Sequence, residues 1–235
     1  MTPIQAIFFD IGDTLVFDNP PLPQRLASAF RALGLTVDES QYFRAYRIGE
    51  AYAAAQYVRG IPWENPESLG EAIRLILNAL GLPVPDLAEL WTQLAAVPFT
   101  YRVHPEALNL LAELRERGFI LGGISDWETT LPELLTELGI APYFQALAVS
   151  EIVGAAKPDP RLFQEALRQA KVAPEHSIHV GDWLELDVAG AQAAGMSVLL
   201  FDWAERRPDA GCQRVTTFSQ MATYLRSLPD PFQTP

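Results

Sequence analysis

Ile4-Gln5-Ala6-Ile7-Phe8-Phe9-Asp10-Ile11-Gly12-Asp13-Thr14 carries an apolar run straight into a pair of acids. The run from Ile4 to Phe9 reads as a buried strand, and Asp10 to Thr14 as the loop that leaves it. A carboxylate at the C-terminal tip of a strand stands on the ligand-binding rim of an open α/β sheet. Three more polar stations follow at the ends of later apolar runs: Ser125-Asp126, Lys157-Pro158, and Gly181-Asp182 with Asp187. Together they read as one assembled site.

Outward from that strand the pattern changes twice. Between Pro20 and about Phe99 the periodicity is helical. Segments run from Leu22 to Leu33 with Gly34 as a stop, from an N-cap at Asp38 to Val58, from Ser68 to Leu80 with Gly81 as a stop, and from Asp86 to Ala96. No strand alternation is read there. From Pro105 onward helix and strand alternate, with strands at Phe119 to Ile124, Ala146 to Val149, Ser177 to Val180 and Ser197 to Phe201. The helices between them are read from Ala107 to Gly118, Thr129 to Leu138, Pro160 to Ala170 and Asp187 to Ala194. Such βα repetition predicts an α/β fold, a Rossmann-like parallel sheet covered by helices. The first strand is an orphan without the later ones, so the helical block is an insertion. The expected division is a core of residues 1–16 and 100–235 and an all-α helical cap of residues 17–99, with the prolines and Gly12 near the crossings as a hinge. Pro229 to Pro235 reads as a frayed tail.

Composition narrows the functional classes. A chain of 235 residues with 49% hydrophobic content can bury a real core. Twenty-nine acidic against 17 basic residues give a net charge of −12, which argues against nucleic-acid and anionic-membrane surfaces, since both need basic patches. Cys212 is the single cysteine, which excludes a disulfide framework and a cysteine zinc cluster. Met-Thr-Pro leads directly into the first strand, and no run approaches the ~20 apolar residues of a membrane span. A soluble cytoplasmic protein is expected.

The four stations, as Phe8-Phe9-Asp10-Ile11-Gly12-Asp13-Thr14-Leu15, Ile124-Ser125-Asp126, Gly154 to Pro160, and His179-Val180-Gly181-Asp182 through Asp187 to Ala191, resemble the four signature segments of the haloacid dehalogenase superfamily. The resemblance covers the whole chain, including a helical insert after the first strand. It implies a hydrolase in which Asp10 is the nucleophile that becomes transiently esterified. Ser125, with Asp126 beside it, is implied to bind the phosphoryl group, and Lys157 to neutralise both nucleophile and transferring group. Asp182 is implied to join Asp10 and the carbonyl of Gly12 in holding Mg²⁺, whose preference for hard oxygen donors suits this set. Asp187 has two open readings: it holds a metal-bound water, or it caps a helix.

One position departs from the family pattern. Phosphatase members carry a second Asp two residues after the nucleophile, as general acid and base, and here that position is Gly12. Such assistance is worth ~10²–10⁴ in rate. Asp13 takes the role only if Gly12 reroutes the loop; otherwise the leaving group needs little protonation, or the cap or water supplies the proton. The expectation is a Mg²⁺-dependent phosphatase of a small phosphorylated molecule, with a homodimer left open. Two alternatives stand beside it, a metal-independent dehalogenase and a regulatory protein of weak catalysis. A phosphonatase is disfavoured because residues 17–100 hold no lysine for an imine. Trp127 and Trp183, next to site residues, are read as rim or packing side chains. Arg44, Arg47, Arg59, Tyr52, Tyr57 and Trp63 are insertion residues whose facing the periodicity does not assign. His104, His176 and His179 form no ligand spacing, and His179 reads as structural.

Overall fold

All four residues of the first strand, β1 (Ala6–Phe9), are buried, and they divide between two apolar clusters. Ile7 and Phe9 join Leu110, Leu111, Leu114 and Phe218, whereas Ala6 and Phe8 join Leu162, Phe163 and Ala166. Helices therefore cover both faces of the strand, which is the environment of a parallel sheet and explains the unbroken apolar run.

The computed structural model describes residues 3–62 and 65–231, so Trp63 and the last part of the tail, residues 232–235, lie outside the described residues. After β1 come β2 (Val16–Asn19), α1 (Leu22–Ala32), α2 (Glu39–Val58), α3 (Pro66–Ala79), α4 (Leu87–Ala95) and β3 (Thr100–Val103). Alternation then begins with α5 (Ala107–Glu116), β4 (Ile120–Ser125), α6 (Leu131–Glu137), β5 (Ala146–Val149), the single turn α7 (Ser150–Val153) and α8 (Pro160–Ala170). It ends with β6 (Ser177–Gly181), a wide π-helical turn at Leu184–Val188, α9 (Ala189–Ala193), β7 (Ser197–Phe201), β8 (Arg214–Val215) and α10 (Phe218–Ser227).

Six strands form one parallel sheet in the order β5-β4-β1-β6-β7-β8. The chain leaves β1, builds outward on one side through β4 and β5, and returns to build the other side from β6. β1 thus lies at the switch point, where an open α/β sheet has its crevice. Asp10 follows β1, Ser125 closes β4 and Asp182 follows β6, so three stations stand at adjacent strand ends ~4.8 Å apart.

The chain divides into two compact units, Met1–Phe17 with Tyr101–Pro235, and Asp18–Thr100. In the second, α1 to α4 bury Leu26, Phe30, Ile73, Leu77 and Leu90 around Tyr42. Asp38 caps α2 through Ser40 N–H, as the sequence suggests. The next helix starts two residues before the expected Ser68, because Asn65 accepts Ser68 N–H and Pro66 takes the first turn. β2 and β3 make a separate two-stranded sheet that the helical reading missed. Each has four residues, and β2 (Val-Phe-Asp-Asn) ends in strand-averse types.

Close packing sets two glycines in β4. A Cβ on Gly122 would lie 2.5 Å from Phe8 Cδ1, and one on Gly123 2.7 Å from Leu147 Cδ1. Gly122→Ala is therefore expected to destabilise by about 1–3 kcal/mol. In a thermal melt that is a fall of roughly 2–12 °C. An unchanged melting temperature would contradict this contact.

Candidate active site

Asp10 N–H donates to the Val180 carbonyl at 2.8 Å, which extends the β1–β6 ladder one residue and fixes the carboxylate on the rim. The chain then turns sharply. Leu15 and Val16 N–H both donate to the Ile11 carbonyl, Asp13 N–H donates to the Val16 carbonyl, and Asp13 sits at φ 54°, a left-handed conformation that Asp tolerates. Ile11 is buried in the core, while the Asp13 side chain is exposed. Gly12 lies against Trp127, whose Cζ3 would be 3.4 Å from an added Cβ. Trp127 is itself fixed: its N–H donates to Ser150 Oγ at 3.1 Å, its ring packs on the core, and Tyr101 meets it edge-on at 5.3 Å.

Lys157 is the hub. Its Nζ donates to Asp10 Oδ1 at 2.5 Å and to Asp187 Oδ1 at 2.6 Å, and the residue is only 5% exposed. Its backbone is pinned by Asp126, whose Oδ1 accepts Lys157 N–H at 2.9 Å. Behind it Asp159 caps α8 through Arg161 N–H, with Pro160 in the first turn. Asp126 thus engages the main chain of Lys157. Ser125 is buried at the last position of β4.

Asp187 does not cap a helix start; it lies inside the Leu184–Val188 turn. Its Oδ1 accepts from both Lys157 and His179 Nε2, the latter at 2.9 Å, and its Oδ2 accepts Trp183 N–H at 3.0 Å. Gly181 makes room for it, since a Cβ there would be 2.2 Å from Asp187 Cγ. His179 Nδ1 is buried without a partner, so the ring proton belongs on Nε2, and burial keeps the imidazole neutral. The line His179–Asp187–Lys157–Asp10 connects two adjacent strands with the loop before α8.

One lysine serves two buried acids, and they respond in opposite directions. Against its burial, Asp187 is held well below the usual carboxylate range by Lys157 and His179. Asp10 is pushed up to about 7, because burial and the neighbouring Asp187 outweigh its share of Lys157. Asp182 is also raised, by burial first, with Arg206 opposing it and Asp10, Asp13 and Asp187 adding to it. Among the described residues the groups that feel one another here are Asp10, Asp13, Asp126, Asp182 and Asp187 against Lys157 and Arg206. Five carboxylates faced by two side-chain cations leave an excess of negative charge. Hard oxygen donors in that excess suit a divalent cation such as Mg²⁺. Among the described residues no three His, Cys, Asp or Glu side chains converge as a cage, so a cation here would draw on two carboxylates and backbone oxygen.

Sequence reasoning missed the residues behind Asp182. Arg206 Nη1 lies 3.1 Å from Asp182 Oδ2, and Trp203 Nε1 is 3.3 Å from the same oxygen. The loop carrying both is tied to Asp202, which accepts from Arg206 N–H, Arg207 N–H and Arg214 Nε. The signal was present: Asp202 directly follows the apolar run Ser197 to Phe201, as Asp10 and Asp182 follow theirs. Other candidates stand elsewhere. His104 stacks on Phe218 with centroids 3.9 Å apart, and His176 Nδ1 pairs with the Pro3 carbonyl. In the helical unit Arg44, Arg47 and Arg59 are exposed, Tyr57 is half-buried, and Tyr52 lines a cleft of about 770 Å³ with Gln56, Glu67 and Arg74. Among the described residues no helix is long and apolar enough to cross a membrane.

The chain is similar to known proteins. The model of the haloacid dehalogenase-like hydrolases matches residues 4–195. The chain is 33% identical over 221 residues to haloacid dehalogenase-like hydrolase domain-containing protein 3 of Mus musculus, covering 86% of this chain and 83% of that one. It is 33% identical over 201 residues to glyceraldehyde 3-phosphate phosphatase of Methanopyrus kandleri, covering 82% of each. The structure of a HAD phosphatase from Thermococcus onnurineus shares the fold at a TM-score of 0.58 and 21% identity, covering 97% of this chain and all of that one.

Proposed function

This chain belongs to the haloacid dehalogenase-like hydrolases, and from that premise we propose that it is a Mg²⁺-dependent phosphatase of small phosphorylated metabolites, working through an aspartyl-phosphate on Asp10. The observation that carries the reading is the position of Lys157 Nζ, buried between Asp10 and Asp187 at the switch point of the sheet. The resemblance to a glyceraldehyde 3-phosphate phosphatase supports a small phosphate ester as substrate.

In this mechanism an ionised Asp10 oxygen attacks phosphorus, and the bond to the leaving oxygen breaks as the new P–O bond forms. Lys157 balances the charge on the equatorial oxygens, and Ser125 orients them from the end of β4. Water then cleaves the mixed anhydride, releasing inorganic phosphate and restoring Asp10. Asp10, Asp182 and the Gly12 carbonyl are the groups that would hold Mg²⁺, which supplies charge neutralisation at the transferring group. Asp187, already bound by three donors, is assigned to Lys157. The helical insertion is assigned the part of a cap that helps to choose the substrate.

No protein acid is assigned to the leaving group. Asp13 is exposed in a left-handed turn, one residue beyond the position the family uses, and Trp127 packs against Gly12. Two expectations follow for a phosphate panel assayed with Mg²⁺ and with EDTA. The natural protein should hydrolyse aryl and acyl phosphates in preference to alkyl phosphates, and lose turnover in EDTA. Gly12→Asp should raise alkyl-phosphate turnover little by itself and by about 10²-fold when combined with Trp127→Ala. Haloacid turnover in EDTA would instead identify a dehalogenase, and Mg²⁺ binding without turnover of any ester a regulatory protein.

A further inference from the structure

The 202–207 loop ends against Asp182 in a manner that ordinary loop packing does not require. Asp202, 1% exposed, receives Arg206 N–H at 2.7 Å, Arg207 N–H at 2.9 Å and Arg214 Nε at 2.8 Å, while its own N–H donates to the Val215 carbonyl at 2.8 Å. The loop is thereby tied to β7 and β8. It presents the Arg206 guanidinium to two indoles, 4.4 Å from the Trp183 ring centre and 5.2 Å from that of Trp203. Contact with both rings restricts where the guanidinium can go. Its Nη1 meets Asp182 Oδ2 at 3.1 Å and the Asp182 carbonyl at 3.4 Å. Trp203 adds its Nε1 to Oδ2 at 3.3 Å.

We propose that Arg206, with Trp203, is the positioning residue of Asp182: together they hold Oδ2 so that Oδ1 is the oxygen left for a divalent cation shared with Asp10. The inference rests on the metal reading given above and adds to it a carboxylate whose orientation is set by groups that touch neither substrate nor cation. Asp182 and its whole side chain are almost fully buried, at 4% and 2% exposure. An unheld carboxylate there has several rotamers and an uncompensated charge; a held one has a single geometry. Outer partners of this kind are worth 10–100-fold in metal affinity. If Arg206 is a built-in competitor for Asp182, its removal will tighten cation binding.

Calorimetric titration with Mg²⁺ alone, without substrate, separates the two. Arg206→Met keeps the stem and removes the charge, and it should weaken Mg²⁺ binding by about 10–100-fold. Arg206→Lys should recover part of the loss. Trp203→Phe removes the Nε1–H and shortens the aromatic face beside Arg206, and should cost a few-fold; it also serves as the test if Arg206→Met does not fold. Unchanged or tighter binding in Arg206→Met, or in a folded Trp203→Phe when the first variant is unusable, overturns the assignment. A natural protein that binds no Mg²⁺ overturns both this assignment and the metal reading, whereas normal binding with indifferent variants overturns this one alone.

Discussion

Asp10→Asn is expected to abolish phosphate-ester hydrolysis, with a loss on the order of 10⁴-fold or more in kcat, because the amide cannot form the mixed anhydride. Steady-state assay of the variant with Mg²⁺ and an aryl phosphate reads it directly. Retention of turnover would sink the mechanism. The same variant carries a second signature that is independent of catalysis. Asp10 is pushed up to about 7, against ~3.9 in an unfolded chain, so between those values the folded protein binds the extra proton. A raised carboxylate contributes stability below the unfolded value and loses it as pH rises toward the folded one. In EDTA, Asp10→Asn should therefore gain on the natural protein as pH goes from about 4 to 7, by an amount on the order of 1–3 kcal/mol. Urea unfolding at a series of pH values measures this gain.

Lys157→Met has the second largest expected effect, and it falls on stability and activity together. The substitution keeps a buried stem of similar length but takes away the cation that Asp10 and Asp187 share at 2.5 and 2.6 Å. Two desolvated carboxylates then face each other, a loss of about 3–5 kcal/mol at neutral pH. The sign with pH follows from Asp187. Its carboxyl lies below the usual range in the folded protein, so its contribution is present above the unfolded value near 4 and disappears in acid. The deficit of Lys157→Met should accordingly persist from neutral pH down to about 4 and shrink only as the pH falls below that. Turnover should fall by ~10³-fold in whatever fraction remains folded, since the charge on the transferring group loses its fixed counter-ion. A variant as stable as the natural protein at pH 7 would show that Lys157 is not the hub of this cluster.

The parallel sheet was readable because its strands are buried on both faces and so announce themselves as unbroken apolar runs. Phe8 and Phe9 point into different clusters, and neither needs a polar neighbour to mark a surface. The site was readable for a related reason: acids placed directly after such runs have nowhere to go but the rim, and Lys157 is fixed just ahead of the capped start of α8. What escaped were contacts made by exposed or irregular chain. β2 and β3 are too short and too mixed for period-two alternation to register. The wide turn at Leu184–Val188 follows helical spacing closely enough that Asp187 resembled a cap, although its oxygens turn back to Lys157, His179 and Trp183 N–H. His179 looked like core, and it is, but one ring nitrogen reaches the acid. Arg206 lies in a stretch with no periodicity, so only the carboxylate at its anchor, Asp202, betrayed it.

The position of β1 has a consequence for how the chain comes to be folded. Of the strands described it is the first to be synthesised, yet it is flanked in the finished sheet by Ile120 opposite Ala6 on one edge and Ser177 opposite Ala6 on the other. Its hydrogen bonds must wait for more than a hundred further residues to be synthesised on one side and for about 170 on the other. The helices of the insertion, α1 to α4, rich in short-range contacts, have time to consolidate first, while a segment made of Ile, Phe and Phe stays without its neighbours. Translation speed and chaperone capture during that interval, more than the final stability, would then govern how much active protein a cell recovers.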